Sequence, residues 1–131
     1  MTAGRTLRVK AAGFYSTDAS SAGTLQFRVK LGSIPIVASA TFSATDGVSN
    51  GAWSLDADIT CRTVGGSGTV FGQGYVRLWD GAAVAIAHQM IATSTSTIDT
   101  TASQAVGLTA QWGTADTDNT LTITNLLIEA V

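Results

Sequence analysis

The chain has 131 residues, of which 45% are apolar and only 12% charged, with a net charge of −2. That length suits one domain, which buries roughly two-thirds of its unfolded surface and so can support a core without disulfides or metals. Seven basic residues spread along the chain give no basic patch of the kind nucleic-acid binding needs. The longest apolar run, Ala82 to Ala87, is far too short to span a membrane. Met1 to Arg5 holds no apolar stretch that could act as a signal peptide, so the chain is expected to stay in the compartment where it is made.

Thr (20) and Ser (12) fill the place that charges usually take, and there is a single Glu, Glu129, and two Lys, Lys10 and Lys30. Helices carry many more Glu and Lys on their wet faces, whereas β-branched Thr suits a pleated, half-exposed surface. The composition therefore favours strands.

The order of residues agrees. Leu7, Val9 and Ala11 alternate with Thr6, Arg8 and Lys10. Leu25, Phe27, Val29 and Leu31 alternate with Gln26, Arg28 and Lys30. Trp53, Leu55, Ala57, Ile59 and Cys61 alternate with Ser54, Asp56, Asp58, Thr60 and Arg62. Period-two alternation of this kind predicts strands with one dry and one wet face, as in antiparallel sheets. Further strands are predicted over Ile34–Ala44, Thr69–Trp79, Ala83–Thr93, Ala105–Trp112 and Thr120–Val131. Pro35 stands near the start of its segment, where a lost ladder bond matters little. Gly72 and Gly74 suggest a bulge or the close approach of another backbone. Thr100 to Gln104 has room for one helical turn at most.

The last segment changes phase. Leu121 and Ile123 share a face, but Leu126, Leu127 and Ile128 follow in a row. A strand apolar on both faces is either a central core strand or an intersubunit strand. Turn residues separate the segments at 17–23, Asp46-Gly47, Asn50-Gly51, 65–68, Asp80-Gly81 and 114–119. About eight strands at this spacing predict an all-β, antiparallel β-sandwich or jelly roll, one domain over residues 1–131.

Catalytic motifs are not apparent. Cys61, the only cysteine, is in phase with core residues and is expected to be a buried, inert thiol. His88, the only histidine, lacks ligand partners at zinc spacing and reads as a packed or interface residue. Asp56 and Asp58 share a wet face, where pairing across strands to Arg or Lys is expected. Asp116-Thr117-Asp118-Asn119 has closely spaced oxygens but reads as a solvated turn rather than a calcium loop. Trp53 and Trp112 belong to the core by phase. Trp79 and Tyr75 are the aromatic residues best placed to contact a ligand such as a glycan. No cofactor or metal is expected.

Four segments, residues 4–17, 25–32, 52–62 and 111–115, resemble segments of small jelly-roll structural proteins of tailed bacteriophages. The resemblance runs over nearly the whole chain, and its motifs are structural. It implies a non-enzymatic virion protein, made in the bacterial cytoplasm, that forms a homotrimer; Leu126, Leu127 and Ile128 of the apolar last segment, with His88, are the expected interface residues. A capsid decoration (cement) protein contacting the major capsid protein is the first expectation. A tail- or head-fibre tip binding a host receptor or glycan is the alternative. The resemblance also implies a strand before Arg5, either missing or supplied by a partner chain.

Overall fold

The computed structural model describes residues 1–81 and 85–131. They form strands β1 (Thr6–Ser16), β2 (Thr24–Leu31), β3 (Ile34–Ala38), β4 (Phe42–Ser43), β5 (Gly51–Thr63), β6 (Gly68–Trp79), β7 (Ala85–Ile91), β8 (Ser96–Ile98), β9 (Val106–Trp112) and β10 (Thr120–Ala130). No helix occurs among the described residues. Part of the predicted sixth strand, Ala83 and Val84, and part of the apolar run from Ala82 lie outside them.

The strands make two antiparallel sheets. The first has the order β10-β1-β5-β6-β7, with β8 sharing the β7 side of β6. In the second, β2 is central. β3 and β4 take successive halves of one edge, and β9 takes the other. The two sheets pack face to face as a β-sandwich, over a core built from the alternating residues. Leu25, Phe27, Val29 and Leu31 of β2 are at most 1% exposed, as are Trp53, Ala57, Ile59 and Cys61 of β5. Phe27 meets Trp53 with ring centroids 5.3 Å apart, which places β2 over β5.

The same packing fixes the rest of the layering. Gly72 of β6 passes under β3 so closely that a Cβ there would lie 2.9 Å from Val37. Gly74 has the same role toward β5, where a Cβ would lie 2.2 Å from the Asp56 carbonyl oxygen. Both glycines mark close approach, and the β5–β6 register is unbroken there. Phe42 of β4 stacks on His88 of β7 at 3.7 Å, and Ser39 bridges to Met90. So β3 lies over β6, and β4 over β7. β9, on the other side of β2, lies over β1.

One predicted element is corrected and one is added. Ile34–Ala44 is not one strand: it divides into β3 and β4 around Ser39. Ser39 is buried because its hydroxyl accepts the Phe27 amide proton while its own amide donates to the Phe27 carbonyl, 3.0 Å in each case. β8 was not anticipated, since three residues are too few to show a period. Residues 100–102 form bends, held by Asp99, whose carboxylate accepts hydrogen bonds from Thr101 and Ala102.

One end of the sandwich is tied by side chains. Asn119 is buried; it accepts from the Asp18 amide at 3.0 Å and donates to the Ala22 carbonyl at 2.9 Å. It thereby joins the β1–β2 connection to the β9–β10 connection. Replacing Asn119 with Ala strands a buried carbonyl and an amide, which costs about 1–3 kcal/mol. Chemical denaturation should show that loss with the m-value unchanged.

Candidate functional site

The phase change in β10 has a local cause. β1 and β10 pair from Leu7↔Ala130 to Ala12↔Asn125, then resume at Gly13↔Ile123, so Thr124 is an extra residue. A bulge of this kind lets residues three apart share a face. Leu121, Ile123, Leu126, Ile128 and Ala130 therefore all oppose the inward residues of β1, while Leu127 opposes Lys10 on the outer face.

The inward face of β10 is nevertheless uncovered. Val9 and Ala11 of β1 are 0% and 5% exposed, yet Ile123, Leu126 and Ile128 beside them are 44%, 46% and 41% exposed. The layering explains this: the second sheet ends with β9 over β1, and β10 extends one strand beyond it. The expectation of a central core strand is thus corrected; β10 is an edge strand, paired among the described residues with β1 alone. β10 is anchored to the core at Trp53, whose indole N–H donates to the Thr122 carbonyl at 3.1 Å. Gly13 makes room for that contact, since a Cβ there would fall 1.8 Å from the same oxygen.

His88 does not join Leu126, Leu127 and Ile128. It sits on β7, at the opposite edge of the same sheet, with its ring stacked on Phe42. Burial lowers the His88 pKa. Because the folded state holds a proton less readily than the unfolded chain, stability is full above the ordinary histidine pKa of about 6.5 and declines as pH falls through it. A His88→Leu variant should show a flatter stability profile between about pH 7 and pH 5.

The outer face of the first sheet is polar and laddered. Arg8 pairs with Asp58 at 3.1 Å and Lys10 with Asp56 at 3.3 Å, as expected from their shared wet face. The hydrogen bond to Asp58 raises the Arg8 pKa, and both groups are screened by solvent. Asp56 and Asp58 are therefore engaged by cations, with no dry pocket between them. Beside them runs a shallow groove of about 340 Å³ lined by Gln73, Gly74, Tyr75 and Gln89. Tyr75 is 38% exposed and carries the Arg77 guanidinium over its ring at 4.5 Å. Trp79, two positions on from Arg77 along the same outer face of β6, is half-buried.

Asp116 and Asp118 are joined by Asp18, which the sequence did not associate with them. The three carboxylates come within 4.8 Å of one another at the surface. The amides of Ser20 and Ser21 and the Ser20 hydroxyl already hold Asp18 below the usual carboxylate range. Cys61 is a free thiol and fully buried, the burial being what its phase implied.

No family model, no curated protein and no solved structure matches this chain.

Proposed function

We propose that this chain is a structural protein of a tailed-phage particle, a non-catalytic jelly roll that acts as a homotrimeric decoration protein on the capsid shell. The observation that carries this reading is the β10 edge. It combines three large apolar side chains on an uncovered face with an open backbone edge, a combination that isolated monomers avoid and assemblies use. The resemblance of four segments to phage structural domains supplies the context. The major capsid protein is the expected neighbour, and each trimer would add contacts between capsomers. Counting copies in purified particles tests the assignment. Hundreds of copies on the shell are expected; a handful confined to the tail would overturn it.

One observation favours the fibre-tip reading as a second possibility. The groove is lined by Tyr75, 38% exposed with Arg77 over one face of its ring, and by two glutamines and two carboxylates, a combination suited to sugar hydroxyls. Glycan-array binding that disappears in Tyr75→Ala would support that reading.

A further inference from the structure

We infer that copies of this chain join by sheet continuity, the free edge of β10 in one copy pairing with the free edge of β9 in the next. The inference rests on the trimer reading only for the number of copies; the choice of edges comes from the fold.

The sandwich has two open edges on one side, one in each layer. Among the described residues β10 pairs only with β1, and β9 only with β2. The layers are offset, so that β10 has nothing above it. On β9, Val106, Leu108, Ala110 and Trp112 share the inward face, and Ala110 is exposed. A second copy seated here would answer both deficits. Its β10 would extend the second sheet beyond β9, and in doing so would lie against the first copy's uncovered Ile123, Leu126 and Ile128.

The strand directions allow it. β9 ends and β10 begins at the end tied by Asn119, so the two run in opposite directions. An axis running along the strands keeps the direction of β10 in every copy, so each new β9–β10 pair is antiparallel, like the strand pairs among the described residues. Each copy contributes one edge of each kind, so the contacts close into a ring and leave neither β9 nor β10 unpaired.

Charge supports the same seating. Lys30 and Glu129 stand outside the Arg8–Asp58 and Lys10–Asp56 ion pairs, and Glu129 faces Arg8 across the β1–β10 ladder. Lys30 is paired with Gly107 on β9, which has no side chain to block the lane across that strand. Leu7 and Leu31 line one cavity at the end opposite Asn119, and their partners are Ala130 and Val106, so Glu129 and Gly107 lie at that same end. The Glu129 carboxylate of one copy therefore approaches the Lys30 ammonium of the next.

The test is a double variant with one thiol on each edge, Thr109→Cys and Asn125→Cys, treated with a short bismaleimide. Both sites are exposed, and Cys61 is buried. The double variant should give covalent trimers on a denaturing gel, and each single variant should give few cross-links or none. An intact trimer by native mass with no cross-linking would overturn the edge pairing and leave the trimer reading standing. Cross-linked dimers with a dimeric native mass would keep the pairing and overturn the trimer. A monomer at micromolar concentration would overturn both.

Discussion

Replacing Leu126 and Ile128 together with Asp should convert the oligomer to monomers without unfolding the chain. Both side chains are more than 40% exposed in a single copy, so the monomer accommodates carboxylates there at little cost. Their cost appears only on assembly, where each copy must bury two unpaired charges against apolar neighbours. Such burial costs several kcal/mol per site. A total of about 4 kcal/mol already weakens association about a thousandfold. Sedimentation of the double variant should show monomers, with a circular dichroism spectrum and melting profile like those of the isolated wild-type chain. Unchanged assembly would show that the interface lies elsewhere. Leu127→Asp serves as a comparison, because Leu127 faces the other way, beside Lys10; its effect should be much smaller.

The second large effect is expected at Trp53. Its indole is 1% exposed, packs on Phe27, and donates its N–H to the Thr122 carbonyl of β10. Trp53→Ala removes the largest side chain of the core and should cost about 3–5 kcal/mol in unfolding free energy. That is a large part of a typical domain's stability. Trp53→Phe should recover much of the packing but not the hydrogen bond. If the bond anchors β10, amides of β10 should exchange faster in Trp53→Phe while those of β5 and β6 keep their protection. Equal exchange throughout would mean that β10 is held by its ladder with β1 alone.

The fold was legible where one face of a strand is dry. The alternation at Leu7–Ala11, Leu25–Leu31 and Trp53–Cys61 marks buried faces of β1, β2 and β5, because these strands are covered by the opposite layer. The phase of Cys61 and the pairing of Asp56 and Asp58 with cations followed from the same period. It was less legible where the chain obeys local geometry. The division at Ser39 depends on a side-chain hydroxyl replacing a ladder bond, and polar alternation does not reveal that. In β10 the pattern was visible as a phase change but had two readings. The structure resolves it as a bulge at Thr124 on an edge strand that the facing, smaller sheet leaves uncovered. His88 was grouped with β10 since chain order carries no information on which edge of a sheet a strand occupies. The meeting of Asp18 with Asp116 and Asp118 was hidden for a related reason. It depends on Asn119 drawing two distant connections together.

The claim that this protein works by assembling is tested most directly by the solution mass of the unmodified chain across a micromolar dilution series. The account predicts a stable species of three times the 13.4 kDa chain mass. A single species of 13.4 kDa throughout would contradict it.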